Sequence, residues 1–554
     1  MVQFHGAQPT LLGWWKSADK ENGDAPCGET TIHDAALRIT HPMFLVDVKG
    51  KPAVFQQGCA VIGKMQDASG FPLLGYAPAL WPENFGDAIF KSEHQLKYPY
   101  VAGAMANAIT SVNMVAAMGK AGMIGFFGAG GLTIDEIEAA VVDVQAQLNG
   151  HPYGFNLIHS PFDPELEKAT VALYLRKGVR RVSAAAYMDL TLPLVHYRLR
   201  GIHRDPQGRI ICPNKVVAKV SRVEVARKFF SPPPGKLVDQ LLSEKLITRE
   251  EADLSQFIPV AHDLTAEADS GGHTDNRAAI ALLPTMLALR NELQARYGYS
   301  RPLCVGLAGG IATPHSTAAA FAMGAAYVLT GTVNQACVES GTSDTVRHLL
   351  AEAGQADVAM TPSADMFEMG VKVQVLKRGT MFPLRAAKLY EIYNACESLD
   401  HIPASQRAML EKTCFHKSIE AEWEQTRAFF LKRDPGQIPL AEQDPKHKMA
   451  LVFRSYLGQS CRWATSGNSA RQMDYQIWCG PAIGAFNEWT KGSFLERPEN
   501  RNVVTVAKNL LVGAAMITRL NWLSNQGIHL QPEETNFTPL PLETLNGLLT
   551  ELRD

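Results

Sequence analysis

Two neighbouring stretches decide the fold class: Leu303-Cys-Val-Gly-Leu-Ala-Gly-Gly-Ile311 and Tyr327-Val-Leu-Thr-Gly-Thr332. Each is a short apolar run that stops at glycine, and a helix-like segment separates the two. Apolar runs that alternate with helical segments are typical of parallel strands connected by helices. The two stretches therefore predict one βαβ unit of a parallel sheet.

The same alternation extends outward over residues 97–350. The predicted strands are Tyr100–Met105, Met123–Gly128, Tyr153–His159, Arg181–Ala186, Val216–Val220, Leu264–Ala268, Leu303–Ala308 and Tyr327–Thr330. Eight strands over about 250 residues match the usual size of a (β/α)8 barrel. Between strands two and three, Thr133-Ile-Asp-Glu136 has the pattern of a capping box at a helix start. We therefore predict an α/β protein built on a (β/α)8 TIM barrel.

Three segments lie outside the regular barrel pattern. Residues 1–96 are turn-rich with short β-like runs, which predicts a β-rich N-terminal extension. Residues 231–254, between strands five and six, predict an inserted helical hairpin, and residues 351–554 predict a mostly helical C-terminal region. The hairpin is either a plain surface element or a lid or docking element at the barrel mouth, where strand-to-helix loops lie.

Composition and charge exclude several classes of protein. The 554 residues carry a formal net charge of −2, which favours neither nucleic acid nor a membrane surface as partner. Nine cysteines are scattered singly without a CxxC pair, so we expect no disulfide framework and no metal site. The N-terminus lacks the features of a signal peptide, and the apolar stretch Val503–Leu520 reads as a buried helix. A cytoplasmic location is expected.

A phosphate site is predicted where strands seven and eight end. Gly309, Gly310 and Gly331 would let backbone N–H groups approach a phosphate closely, and Thr332 would add a hydroxyl. In barrels of this kind a phosphate is commonly held by these two loops. The alternative is that these glycines only make tight turns.

Other strand ends carry candidate ligand-binding residues. Small residues at Gly103, Ala104 and Met105 would let a flat ring lie against strand one. Asn156 places a buried amide on strand three, and such an amide usually has a partner. Lys219, on strand five, would pair either with a ring that becomes anionic or with Asp269 or Glu267 at the barrel rim.

The motif Glu267-Ala-Asp-Ser-Gly-Gly-His-Thr-Asp275 follows strand six. It puts His273 on the face where barrel active sites lie, and imidazole exchanges protons near neutral pH. The adjacent Gly271 and Gly272 would leave the ring unobstructed, and Asp269 or Asp275 could orient it. His273 is the predicted catalytic residue, with water or Tyr187 as the alternative proton source.

Taken together, these motifs resemble the FMN-dependent barrel family of nitronate monooxygenases and FabK-like enoyl reductases. The residues that carry the resemblance are Gly103-Ala-Met105, Asn156, Ser270-Gly-Gly-His273, Ala308-Gly-Gly310 and Gly331-Thr332. Longer stretches, among them Asp365–Val375 and Gln476–Gly484, are similar to trans-acting enoyl reductases of the PfaD type, which serve polyunsaturated fatty acid and polyketide synthases. One departure is Asp269, where the shorter reductases have glutamate.

The resemblance implies that the chain reduces trans-2-enoyl thioesters on an acyl carrier protein of a megasynthase. It implies FMN as cofactor and NADPH or NADH as reductant, with Asp269, Gly271, Gly272 and Ala308 among the FMN-binding residues. The resemblance to this family also implies a homodimer. Two alternatives remain open at this point: a nitronate monooxygenase, and a non-catalytic FMN-containing scaffold of the synthase.

Overall fold

The computed structural model describes residues 11–17, 30–63, 70–159 and 163–551. The N-terminal extension forms a five-stranded antiparallel sheet with strand order β3-β2-β5-β1-β4. Its strands are β1 (Gly13–Lys16), β2 (Met43–Val48), β3 (Lys51–Phe55), β4 (Cys59–Ile62) and β5 (Phe71–Ala77). Inward-facing apolar side chains of β2 and β5, such as Leu45 and Leu74, are buried, which confirms the β-rich character predicted for this part.

Eight parallel strands form a closed barrel, as predicted. The remaining strands of the chain are β6 (Tyr100–Ala102), β7 (Ile124–Phe127), β8 (Gly154–Ile158), β9 (Arg181–Ala185), β10 (His203–Arg204), β11 (Ile210–Ile211), β12 (Lys215–Val220), β13 (Asp263–Glu267), β14 (Gly272–His273), β15 (Cys304–Ala308), β16 (Val328–Thr330), β17 (Val358–Pro362) and β18 (Lys372–Leu376). The barrel order is β12-β13-β15-β16-β6-β7-β8-β9. Every predicted strand is present, with ends that differ by no more than three residues from those expected.

Helices surround the barrel and form most of the C-terminal region. They are α1 (Ile32–Leu37), α2 (Ala88–His94), α3 (Val112–Lys120), α4 (Ile134–Leu148), α5 (Pro164–Lys177), α6 (Leu192–Leu199), α7 (Val223–Phe229), α8 (Gly235–Ser243), α9 (Arg249–Leu254), α10 (Ala279–Tyr297), α11 (Pro314–Ala322), α12 (Thr332–Gln335), α13 (Asp344–Ala351), α14 (Phe382–Ala395), α15 (Ala404–Leu410), α16 (Ile419–Arg433), α17 (Gln437–Gln443), α18 (Pro445–Ser466), α19 (Ala482–Thr490), α20 (Val503–Asn525), α21 (Pro532–Thr535) and α22 (Leu542–Thr550). The capping box predicted at Thr133 and Glu136 starts α4.

The inserted hairpin consists of α8 and α9, as predicted, but it is not at the barrel mouth. It follows α7 and precedes β13, and a helix-to-strand connection lies at the amino-terminal end of a barrel. Val238 and Leu241 of α8 are buried in one small cluster with Val195 and Leu199 of α6. The interpretation of residues 231–254 as a lid or docking element at the barrel mouth is therefore wrong.

The long helix α20 is a core helix, as predicted from its sequence. Its length and composition would allow it to cross a membrane, yet 83% of its most apolar window is buried inside the protein. It packs against α11 of the barrel and against α1 and β5 of the N-terminal extension. The two ends of the chain therefore share one core.

The C-terminal region also contains a β-hairpin that the sequence interpretation missed. Strands β17 and β18 pair antiparallel, and β18 in turn pairs with β14, so that His273 lies opposite Val373. The segment after strand six is thereby tied to a part of the chain some hundred residues further on. Cys27 lies outside the described residues, and the other eight cysteines have free thiols.

Candidate active site

A cleft of about 1230 Å³ opens at the carboxyl ends of the barrel strands. Its floor is the barrel face, and its outer walls are the β17–β18 hairpin and helices α16, α17 and α18. Ligand pockets usually measure about 300–1,000 Å³. This cleft is therefore large enough for a cofactor and a second ligand at once.

All residues predicted to bind a cofactor line this one cleft, and so does His273. The lining set contains Gly103, Ala104, Met105, Asn156, Lys219, Asp269, Gly271, Gly272, His273, Ala308, Gly309, Gly310, Gly331 and Thr332. They come from six different strand ends, which the barrel brings together at one face. Their positions thus agree with the prediction, while their binding roles are taken up below.

The glycines after β15 and β16 differ in what surrounds them. A Cβ placed on Gly310 or Gly331 would meet no atom within 4 Å, so both residues border open space. A Cβ on Gly309 would instead lie 2.7 Å from the backbone of Ala268 and Asp269, so this glycine is needed for packing. The hydroxyl of Thr332 accepts a hydrogen bond from the backbone N–H of Gly480 at 3.1 Å. Gly310, Gly331 and Thr332 therefore border the space where a phosphate would lie.

Gly271 is explained by a close backbone approach. A Cβ on this residue would lie 2.8 Å from the nitrogen of Cys479, and one on Gly480 would lie 2.8 Å from the nitrogen of Gly271. The two glycines allow the C-terminal segment to pack directly on the loop that precedes His273. Gly271 thus serves this contact, rather than only leaving the imidazole unobstructed.

Lys219 pairs with Glu267 at the barrel rim, which is one of the two alternatives predicted for it. Its Nζ donates to Oε1 of Glu267 at 2.7 Å, and the hydroxyl of Ser270 donates to the same oxygen at 3.1 Å. Both charged side chains also line the cleft, so the pair can still face a ligand. The amide of Asn156 is buried, and its Nδ2 donates to the carbonyl of Ser183 at 3.0 Å.

His273 is paired with Asp365, a partner that the sequence interpretation did not assign. The imidazole Nε2 lies 3.2 Å from Oδ1 of Asp365, which precedes β18 in the loop after β17. Burial alone would lower the pKa of His273, but the hydrogen bond and the charge of Asp365 outweigh it and raise that pKa above 6.5. The pair stands at the cleft wall, where 38% of the histidine side chain is accessible.

Asp269 and Asp275, which were proposed to orient the ring of His273, bind other residues instead. That part of the prediction is wrong. Asp269 Oδ1 accepts hydrogen bonds of 2.8 Å from Asn276 and from Gln374 on β18. Asp275 is bound by Arg222, whose hydrogen bond is the main reason that the pKa of Asp275 falls to about 2. Asp269 therefore anchors β14 to β18 and so positions His273 indirectly.

Tyr187 is less suited to supply a proton than expected. Its hydroxyl donates to Oε1 of the buried Glu167 at 2.8 Å, and the ring stacks on His159. Burial and the neighbouring carboxylate raise the pKa of Tyr187 well above its usual value. The proton is thus held within the network around Glu167.

Asp365 and Gln374 are the site residues that sequence reasoning missed. Both belong to the stretch Asp365–Val375, which was singled out only for its resemblance to known reductases. The alternation Lys372-Val-Gln-Val-Leu376 was a strand signal inside a region predicted as helical. Contact with a motif 92 residues earlier in the chain cannot be derived from local pattern.

Comparison with known proteins shows that the chain belongs to the nitronate monooxygenase family, whose family model matches residues 89–399. A second model, the inserted helical domain of [acyl-carrier-protein] S-malonyltransferase, matches residues 396–475. The barrel and its cleft thus define an oxidoreductase of this family with a helical unit attached.

Several of the similar proteins belong to fatty acid or polyketide synthesis. One subunit of the polyunsaturated fatty acid synthase of Thraustochytrium is 46% identical over 471 residues, which are 83% of this chain and 31% of that protein. Polyketide biosynthesis protein PksE of Bacillus subtilis is 46% identical over 78% of this chain and 56% of its own length. The chain therefore spans about half or less of these curated relatives.

A solved structure with substantial sequence identity also matches most of the chain. It is the enoyl reductase domain of MlnA from the macrolactin cluster of Bacillus amyloliquefaciens, 39% identical, with a TM-score of 0.75. The match covers 80% of this chain and 99% of that domain. The fold similarity therefore includes much of the chain outside the barrel.

Proposed function

We propose that this chain is an FMN-dependent enoyl reductase that acts on trans-2-enoyl thioesters carried by an acyl carrier protein, with NADPH as reductant. The observation that carries the proposal is the single cleft that gathers the open glycine loops, Lys219 and the His273–Asp365 pair. Similarity to an enoyl reductase domain and to synthase subunits supports this choice of reaction.

The residues present fit FMN. Open space beside Gly310 and Gly331 would admit a phosphate to within hydrogen-bonding reach of the backbone, and a β-carbon at either position would fill part of that space. Small residues at Gly103 and Ala104 border the same cleft and would face the ring, and Lys219 brings a positive charge to it. When bound, FMN would supply the hydride that reduces the enoyl β-carbon.

The protein's own part would be to hold the thioester and supply a proton. His273 would donate this proton to the α-carbon of the substrate, as a general acid of suitable pKa. Asp365 would keep the imidazole protonated near neutral pH, because it raises the pKa of His273. Gln374 and Asp269 would fix the strand that carries the histidine.

The helical C-terminal region would receive the carrier-bound substrate. Helices α16, α17 and α18 line the outer part of the cleft. They lie within the segment that matches a helical domain of an acyl-carrier-protein transferase, and relatives of the chain are synthase subunits. A carrier protein of a polyunsaturated fatty acid or polyketide synthase is therefore the proposed partner.

The proposal can be tested on the purified full-length chain by following the flavin spectrum without oxygen. NADPH should bleach the flavin, and a trans-2-enoyl thioester on a carrier protein should restore the colour. A flavin that NADPH reduces but the enoyl thioester does not reoxidise would contradict the reductase. A flavin that NADPH does not reduce would favour the alternative of a non-catalytic FMN-containing scaffold.

A second candidate function is nitronate oxidation, because the matched family model carries that description. His273 would then act as a base toward a small nitronate or nitroalkane. Oxygen consumption with nitroalkanes in the absence of NADPH separates this activity from enoyl reduction. We expect such consumption to be negligible beside enoyl thioester reduction.

A further inference from the structure

Three side chains form a distinct group at the outer rim of the cleft. Phe429 and Arg433 project from α16, and Arg462 projects from α18. Each guanidinium carbon lies 5.9 Å from the centre of the Phe429 ring, and Phe429 is 42% exposed. All three line the same cleft as the glycine loops.

The positive charges of the two arginines are not paired with a carboxylate in the part of the chain that the structure describes. Among the described residues, neither guanidinium has a carboxylate within 4 Å, whereas the cleft residue Arg222 is paired with Asp275. The carboxylate of Asp434, next in sequence to Arg433, accepts hydrogen bonds from the backbone of Gly436 and the side chain of Gln437. Two unpaired arginines beside an exposed ring would therefore attract an anionic ligand.

Glu136 is a further acidic group that the two arginines influence. Its Oε2 accepts hydrogen bonds from the backbone and the hydroxyl of Thr133, and this backbone hydrogen bond is the main cause of its lowered pKa. The positive charges of Arg462 and Arg433 lower that pKa further, but neither forms an ion pair with it. The field of the two arginines thus remains available to a ligand.

We infer that Phe429, Arg433 and Arg462 bind the adenosine end of NADPH, with the ring against the adenine and the arginines on the 2′-phosphate. This inference rests on the proposed function and adds to it the residues that select the reductant. Arginine is the usual partner of the 2′-phosphate in sites that prefer NADPH over NADH. Arginine and aromatic faces also stack on flat rings, which suits adenine.

The cleft volume and the ligand chemistry both favour this occupant. About 1230 Å³ exceeds what a single cofactor needs, so a second ligand can enter while FMN is held. The carrier protein's prosthetic arm also contains a phosphate, but it has no flat ring to use Phe429. The prosthetic arm therefore fits these three residues less well than NADPH does. The experiment distinguishes the 2′-phosphate of NADPH from the phosphate of the arm.

The test uses the FMN-loaded full-length chain and the variants Arg433→Gln, Arg462→Gln and Phe429→Leu. The matched control is Arg427→Gln, which removes an arginine of α16 that does not line the cleft. Binding of adenosine 2′,5′-bisphosphate is measured by calorimetry. Flavin reduction by NADPH and by NADH, and reoxidation by carrier-bound enoyl thioester, are measured separately by stopped flow.

We expect each arginine variant to bind the bisphosphate about tenfold or more weakly, because a hydrogen bond to a charged group is lost. The KM for NADPH should rise to a similar extent, while reduction by NADH and all rates of the control variant stay unchanged. Phe429→Leu should weaken NADPH and NADH binding alike, since it removes the ring contact but no charge.

Three results would overturn the inference. One is unchanged bisphosphate binding in both arginine variants, and another is an equal loss toward NADPH and NADH in those variants. The third is slower reoxidation by the carrier-bound thioester with normal bisphosphate binding, which would assign the arginines to the carrier arm. If the wild-type flavin is not reoxidised by enoyl thioester, the proposed function fails, while arginine-dependent bisphosphate binding would still uphold this site.

Discussion

At the residue scale, the position of Asp365 changes what His273 can do. A lone imidazole in a partly buried cleft would tend to lose its proton, because burial disfavours the charged form. Asp365 reverses this tendency and raises the pKa of His273 above its ordinary value. A donor that stays protonated near neutral pH is what the second half of an enoyl reduction requires.

His273→Ala should therefore separate the two halves of the reaction. FMN should remain bound and NADPH should still reduce it, because the side chain that is lost supplies only the proton. Reoxidation by the enoyl thioester should slow by about 10²–10⁴-fold, the usual contribution of a general acid. Stopped-flow absorbance measures both rates, and reoxidation at the wild-type rate would assign the proton to another donor.

Asp365→Asn should shift the pH profile of reoxidation to lower pH. The rate should fall as pH rises through the pKa of His273, since the donor is then deprotonated. Without the carboxylate that raises this pKa, the fall should begin at a lower pH than in the wild type. A variant that is slower by the same factor at every pH would show that Asp365 only supports the fold.

Gly331→Ala tests the phosphate site more directly than a substitution at Gly310 would. Gly310 has a φ of +80°, in the left-handed region where alanine also strains the backbone, whereas the φ of Gly331 is −123°, outside that region. The added methyl would occupy open space beside the proposed phosphate, and FMN should bind about tenfold or more weakly. Gly235→Ala, equally open but in the distant hairpin, is the control, and flavin fluorescence measures the affinity.

At the element scale, local pattern predicted the barrel and failed where pairing is distant. All eight strands are short apolar runs between turn residues, so sequence alone could locate them. Strand β14 has only two residues and exists because it pairs with β18. No local pattern could reveal that contact, and the partner of His273 was missed with it.

The hairpin of α8 and α9 shows a different kind of error. Its helices were predicted well, but α7, which lies before it, was not recognised, so the hairpin was taken for a strand-to-helix connection. The end of the barrel on which a loop lies depends on whether a strand or a helix precedes it. One overlooked helix of seven residues thus moved the segment to the wrong face.

The position of this hairpin leads to a negative prediction. The double variant Lys236→Glu, Asp239→Lys reverses two exposed charges of α8, far from the cleft lining. Reduction of a carrier-bound thioester should keep its kcat/KM within about twofold, because only charges at an interface alter association. A marked loss with the carrier-bound substrate, but not with a free thioester, would restore the docking interpretation.

At the scale of the whole molecule, the barrel is open at one end and closed at the other. Helix α2 covers the amino-terminal end, where its His94 donates to the buried Asp263 at 2.6 Å. Arg301 binds the other oxygen of Asp263 at 2.6 Å. Asp263 begins the strand that ends at Glu267, so one strand connects the closed end with the cleft.

The charges at the closed end should matter for stability and not for chemistry. Burial alone would raise the pKa of Asp263, but the charge of Arg301 and the hydrogen bond from His94 hold it well below its usual range. A carboxylate with a lowered pKa stabilises the folded state above its unfolded pKa of about 3.9, and this contribution is lost as pH falls below that value. The closed end therefore contributes to acid sensitivity.

Asp263→Asn should lower the free energy of unfolding at pH 7 by about 3–5 kcal/mol, because Arg301 keeps a buried charge without its partner. Urea unfolding measures this loss, and stability should also depend less steeply on pH below about 4 in the variant. Glu292→Gln, which breaks the exposed pair with Arg227, should cost about 0–1 kcal/mol and serves as the control. Folded Asp263→Asn protein should bind FMN and reduce enoyl thioester as the wild type does, since the cleft lies at the other end of the strand. A variant of normal stability would show that the hydrogen bonds of α2 do not depend on the Asp263 charge.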